Sequence, residues 1–196
     1  MDVEFQDVVR RRRMVRKFSD EPVSEESIQR IMRNAVRGPS AGFSQGQAFL
    51  VLRGESLKRL KEKFDFWAGD DAKTAQVVVI PFSVKDVYLD RYAQPDKGWT
   101  DRSEANWPVP YWYIDTGMAA LLILQTAVDE GLGAVLFGMA EEDWPQLRAE
   151  FGIPETHVPI GMIAIGHPAE QGISEGASPR TRKRLAADEV VHWDQW

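Results

Sequence analysis

The chain contains no cysteine in 196 residues, which removes disulfides, thiolate nucleophiles and cysteine-bound metals together. It also lacks any apolar run near the ~20 residues that a membrane-spanning helix needs. The longest strongly apolar patch, Met118 to Leu124, is soon followed by Gln125 and Asp129. The opening Met1-Asp2-Val3-Glu4 carries acid early and has no apolar signal core, so secretion is not expected and the cytoplasm is. Histidine is scarce. His157, His167 and His192 are scattered without ligand spacing, and no Ser-His-Asp set can be assembled, so neither a metal site nor a hydrolase is read here. Overall positive charge is missing too: a net charge of −6 argues against general nucleic-acid binding. What remains, 43% hydrophobic and 28% charged residues, describes one globular domain over residues 1–196 that can bury a substantial core.

Against that acidic background, six cations fall within the eight residues from Arg10 to Lys17. A second basic cluster, Arg180-Thr181-Arg182-Lys183-Arg184, lies near the other end of the chain. A single charge run is most often a solvated face. Two such clusters converging on one phosphate would explain both, because arginine forks match phosphate oxygens. About two dozen residues after the first cluster, Gly38-Pro39-Ser40-Ala41 reads as a turn able to present backbone and hydroxyl groups to a ligand.

The patterning alternates helix and strand. Phe5 to Arg13 reads as a short helix with Phe5, Val8 and Val9 on one face. Ser24 is a good N-cap for a second helix, with Glu25 and Glu26 in its first turn, an Ile28/Ile31/Met32/Ala35 stripe, and Gly38-Pro39 at its end. Gln47 to Leu52 predicts a buried strand and Leu57 to Phe64 a helix. Gln76 to Val84 predicts a β-branched strand whose ladder weakens at Pro81. Residues 85–113 then gather Tyr88, Tyr92, Trp99, Trp107, Tyr111, Trp112 and Tyr113 among prolines and charges, without clear periodicity. Long loops of this kind are often functional. A long apolar helix is expected from Asp115 to Glu130, a strand from Gly133 to Phe137, a helix from Glu141 to Phe151 and a strand from Val158 to Ile165. The chain ends in an apolar extension from Val190 to Trp196. One α+β domain with a long aromatic insertion is the simplest account.

Gly131-Leu132-Gly133 with Gly138 invites a dinucleotide-binding reading, which the order of elements rejects. That fingerprint follows a strand and opens a helix, whereas these glycines follow a helix and open a strand. With no nucleophile, metal or acid–base set in view, the remaining chemistry falls to a bound cofactor.

Arg12-Arg13-Met14-Val15-Arg16-Lys17-Phe18, Pro22-Val23, Pro39-Ser40 followed by Gln45, Gly131–Gly133, Gly152–Pro154 and Ile165–Pro168 occur in the order in which the nitroreductase family of flavin-dependent oxidoreductases carries similar motifs. The resemblance covers nearly the whole chain. It implies an α+β fold with a central, mainly antiparallel sheet flanked by helices, an interlocked homodimer, and FMN at the subunit interface. The Asp115–Glu130 helix would then be the central dimer helix, and residues 179–196 an arm that wraps the partner. By matching positions, Arg12 and Arg13 would hold the FMN phosphate with Arg182, Lys183 and Arg184, and Met14 stands where the family usually has a serine. Arg16 would lie near the flavin pyrimidine edge. Pro39, Ser40 and Gln45 would line the isoalloxazine, and the Phe137–Gly138 backbone would approach its hydride-accepting end. Phe43, which occupies a position where asparagine is common, would touch substrate together with Tyr92 and Trp112, the 85–113 segment forming a wall or lid. The implied activity is ping-pong transfer of hydride from NAD(P)H, through FMN, to a nitroaromatic, quinone or similar small acceptor. The altered segment from Phe43 to Gln47 also admits a deazaflavin-using or flavin-modifying relative. A non-catalytic flavin-binding or storage protein is the reading from outside enzymology.

Overall fold

Strand β2 (Val77–Ser83) organises the molecule, because every one of its residues is buried. Val77 and Val79 enter one apolar core, while Val78, Ile80 and Phe82 enter a second on the opposite face. Period-two alternation therefore divides apolar side chains between two cores rather than between core and water. The computed structural model, which describes residues 4–169 and 178–196, places β2 inside an antiparallel sheet of order β1-β2-β5-β3. The flanking strands are β1 (Gln47–Leu52), β3 (Gly133–Phe137) and β5 (Met162–Gly166), and the two-residue β4 (Val158–Pro159) pairs with the end of β2. The fold is α+β with an antiparallel sheet flanked by helices, as the motifs imply.

One face of the sheet is covered by α2 (Glu25–Ala35) and α5 (Tyr111–Asp129), through Ile28, Ile31, Ile123, Ala127 and their neighbours. The other face packs against α3 (Gly54–Lys63) and α6 (Trp144–Phe151), through Leu57, Leu60, Phe64 and Leu147. α2 begins where the acidic first turn predicts, with Ser24 Oγ accepting the Ser27 N–H. Gly131, at φ +74°, lets the chain turn out of α5 into β3.

Several boundaries differ from those the patterning predicts, each for a physical reason. α1 (Phe5–Arg11) ends two residues early, because Met14 bridges Ala134 on β3 and the Val15 N–H donates to the Ala134 carbonyl at 2.9 Å. Extended pairing with the sheet edge thus overrides the helical propensity of the arginines. The Val158–Ile165 run is two strands, broken at Gly161, whose φ of +141° only glycine adopts readily. Beside it, β2 changes partner from β5 to β4 across Pro81, which lacks an N–H to donate. The 85–113 segment is not an aperiodic loop. It opens with α4 (Lys85–Tyr92), passes through short 3₁₀ turns at Pro95–Lys97 and Glu104–Asn106, and closes in the first turn of α5. Tyr88, Leu89 and Tyr92 form the inward stripe of α4, which the density of aromatics concealed. The Val190–Trp196 extension forms no strand within this chain and lies exposed, with Trp196 99% accessible.

Candidate functional site

The arginine run leaves α1 and meets the edge of β3 where Met14 bridges Ala134. Val15 and Phe18 turn inward and are buried; Arg12, Arg13 and Arg16 are half-buried beside them, while Arg10 and Arg11 are exposed. The approach to β3 is close: a Cβ added to Gly133 would lie 2.7 Å from a Val15 methyl. Glycine at this position is therefore what lets the run settle against the strand.

Arg10, Arg11, Arg12, Arg13, Met14 and Arg16 line one cleft together with Ser178, Pro179 and Arg184 from the C-terminal segment, around a volume of about 450 Å³. Of the second basic cluster, Arg184 joins the first in this cleft. Among the described residues six arginines border the cleft and no carboxylate does. Arg10 is engaged by Asp7, whereas among the described residues no acid pairs with Arg12, Arg13, Arg16 or Arg184. Arg13 Nε is buried and without a hydrogen-bond partner. Buried unpartnered donors and accumulated like charge both cost free energy, so this geometry calls for an anionic ligand. Arg182 and Lys183 border an adjoining, more open hollow shared with Ser178, Pro179 and Arg184.

The turn carrying Pro39, Ser40 and Gln45 does not join that cleft within one chain. It is fixed to the beginning of α5, where the Ala41 N–H donates to Asp115 Oδ2 at 2.8 Å. Gln45 N–H closes the turn on Ser40 Oγ at 2.9 Å. The arginine run, by contrast, meets the far end of α5: Arg11 and Arg13 share a small hollow with Val128 and Gly131. From Asp115 to Val128 a helix rises about 20 Å. Phe137 ends β3 three residues beyond the Met14 bridge and Gly138 follows it, and among the described residues nothing lies within 4 Å of a Cβ placed on Gly138. Phe43 is 76% exposed, Tyr92 is half-buried, and Trp112 is buried edge-on to Tyr88 and Trp107.

Four groups that the motifs do not reveal shape the neighbourhood. Phe66 and Trp67 pack against the same core as Met14 and Phe137, the Trp67 and Phe137 rings lying 6.1 Å apart. Asp115 is a buried carboxylate, visible in the sequence as the lone acid within the apolar stretch from Tyr111 to Leu124. Tyr88 is fully buried near it, and its hydroxyl meets no acceptor in good geometry. Burial first, and then the neighbouring Asp115 carboxylate, push the Tyr88 phenol well above its ordinary range. Arg91, on α4, holds the Gly42 carbonyl.

An antiparallel sheet between helical layers, with an arginine-lined cleft along its edge strand, defines an α+β protein. The sequence profile of the Nitroreductase family matches residues 9–167. A protein of Archaeoglobus fulgidus, provisionally named NADH dehydrogenase/NAD(P)H nitroreductase, is 32% identical over 163 residues, which cover 82% of this chain and 83% of that one. Among solved structures, a nitroreductase of Desulfovibrio desulfuricans crystallised with FMN superposes with a TM-score of 0.72 at 22% identity, covering 98% of both chains. Nitroreductase CinD of Lactococcus lactis, in complex with nicotinic acid, superposes at 0.74 with 19% identity, over 93% of this chain and 100% of its own. The chain belongs to the nitroreductase family of oxidoreductases.

Proposed function

We propose that the protein is an FMN-dependent NAD(P)H oxidoreductase acting as a homodimer on a small electron acceptor. The observation that carries this reading is the cleft with six arginines and no acid among the described residues of its wall, which matches the charge and size of the FMN phosphate end. Arg12 and Arg13 would bind the phosphate, with Arg182, Lys183 and Arg184 closing over it from the C-terminal segment. When bound, FMN supplies at N5 the two-electron chemistry that couples NAD(P)H oxidation to reduction of a nitroaromatic, quinone or similar acceptor in a ping-pong sequence.

The chain's own part is to bind, orient and exclude water. Arg16, carried on the segment that the Val15 N–H pins to β3, would offset negative charge on the ring. Met14, Phe66, Trp67 and Phe137, packed against one core, would present an apolar surface to a bound ring, and Gly138 would let that ring approach the backbone.

Dimerisation is supported by the separation of the two halves of the site. An antiparallel pairing of α5 helices about a two-fold axis would bring one subunit's Pro39–Gln45 turn to its partner's arginine run. The outward face of α5 suits this, since Ile114, Met118 and Leu121 recur at helical spacing and each remains more than a third exposed. The exposed 179–196 arm, with Trp193 and Trp196, would wrap the partner. Among the described residues no helix is long and apolar enough to cross a membrane, and the cytoplasm remains the expected compartment.

Anaerobic mixing of the FMN-loaded protein with NADH or NADPH tests the reading: the oxidised flavin's visible absorbance should bleach within the turnover time and return on adding a nitroaromatic. Bleaching by reduced deazaflavin alone would move the protein to the deazaflavin-using alternative, a reading that the Phe43–Gln47 segment motivates. Tight FMN binding with no bleaching by any reductant would make it a storage protein.

A further inference from the structure

The aromatic insertion carries an arrangement that cofactor binding does not explain. Arg91 uses all three of its guanidinium nitrogens at once. Nε donates to the Gly42 carbonyl at 3.1 Å, while Nη1 and Nη2 fork onto Asp96 Oδ1 and Oδ2 at 2.8 and 2.7 Å. The planar fork thus ties α4, the following 3₁₀ turn and the Ala41–Phe43 turn into one body. Tyr92, the next residue, fills the space over Gly42, where an added Cβ would lie 2.6 Å from its ring. Behind it, Trp99 and Trp107 pack on Tyr92 at 4.8 and 4.5 Å and on each other at 5.1 Å.

The turn so held is a strained one. Phe43 and Gln45 both lie in the left-handed region, at φ +55° and +56°, where only glycine rests without cost. The strain is spent on showing solvent a large apolar ring, that of Phe43. Next to this turn sits Lys97, whose Nζ stands 5.0 Å over the Tyr92 ring and has no carboxylate partner among the described residues. An exposed aromatic face beside an unpaired ammonium is a surface for a flat molecule bearing negative charge.

We propose that the insertion is a fixed wall of the acceptor site rather than a mobile lid, and that through it Phe43 and Lys97 select a planar acceptor carrying an anionic substituent, with Arg91 as the positioning residue that holds them together. The proposal rests on the reading that the Pro39–Gln45 turn faces the flavin. It involves no covalent step beyond that activity.

Two readouts test it. Hydrogen exchange of the Ala41, Phe43, Ser44 and Gln45 amides, followed with and without FMN, should quicken about tenfold in Arg91→Gln, the scale of one lost charge-assisted hydrogen bond. Arg91→Lys should not restore protection, because an ammonium cannot serve Gly42 and fork onto Asp96 together. Should Arg91→Gln fail to fold, Asp96→Asn, which weakens the fork and leaves the Gly42 bond, should quicken the same amides to a lesser degree. In turnover, the KM for 4-nitrobenzoate should be several-fold below that for its uncharged methyl ester. Lys97→Met should erase that difference by raising the KM for the benzoate alone, and Arg91→Gln should raise both. Unchanged exchange in Arg91→Gln and Asp96→Asn, or a charged-to-uncharged KM ratio that Lys97→Met leaves intact, would overturn the proposal. A wild type that binds FMN but is never reduced would instead defeat the functional reading, and the exchange experiment would still decide the role of Arg91.

Discussion

Replacing Arg13 by glutamine is the sharpest probe of the arginine cleft, because among the described residues its buried Nε has no partner and no carboxylate competes for its charge. A guanidinium about 4 Å from a phosphate charge gains about 4 kcal/mol at an effective dielectric constant near 20, before desolvation takes its share. The net value of such a charge-assisted hydrogen bond is about 1.5–3 kcal/mol, which is roughly 10- to 150-fold in Kd. Arg12→Gln should behave alike, since Arg12 is also half-buried in the cleft. Arg10→Gln should cost about twofold or less, because Arg10 is exposed and already paired with Asp7. The assay is quenching of flavin fluorescence on titrating apoprotein into FMN and, separately, into riboflavin, which has the ring and ribityl chain but no phosphate. Wild type should prefer FMN strongly; Arg13→Gln should lose most of that preference while its riboflavin affinity stays put. Equal weakening toward both ligands, or an Arg10 effect as large as that of Arg13, would refute the assignment of this cleft to phosphate.

Three further outcomes follow from the packing. Gly133→Ala should push Val15 and the arginine run off β3, costing about 1–3 kcal/mol in urea denaturation and weakening FMN binding with it, since the added Cβ would meet Val15 at 2.7 Å. Leu121→Glu, on the exposed face of α5, should shift sedimentation toward monomer and lower FMN affinity in parallel, whereas the exposed and remote Glu55→Gln should do neither. Tyr88 is more readily kept protonated folded than unfolded, so the folded state binds more protons above the unfolded phenol's pKa of 10.0 and stability falls as pH rises beyond it. Tyr88→Phe should therefore flatten the alkaline limb of a Tm-against-pH curve relative to wild type while changing Tm little at neutral pH; an unchanged limb would contradict the burial argument.

Local chemistry decided what could be read in advance. The Val77–Ile80 run, the Ser24 cap and the helix-then-strand placement of Gly131–Gly133 each carry their own signal, and each stands where that signal puts it. The convergence of Arg12–Arg16 with Arg184 was legible only because both clusters are anomalous in an acidic chain. Where the prediction failed, tertiary demands overrode local ones. Arg12 and Arg13 leave the helix because β3 offers Met14 and Val15 a partner. α4 was hidden because Tyr88 and Tyr92 serve an aromatic cluster and a helical stripe at once. Asp115 and Arg91 gave no motif at all, since what each does is hold a backbone group more than forty residues away, the Ala41 amide and the Gly42 carbonyl. The long reach of α5 likewise explains why residues adjacent in the family's motif order, Arg16 and Ser40, stand at opposite ends of one helix in a single chain.

Whether the arginine cleft holds FMN across a dimer is read most directly from the absorption spectrum and mass of the ligand released from the native protein, measured beside the protein's own mass in solution. A flavin spectrum, the mass of FMN, one FMN per chain and a particle of two chains are expected. A colourless protein with no affinity for added FMN, or a monomer that binds it fully, would contradict that assignment.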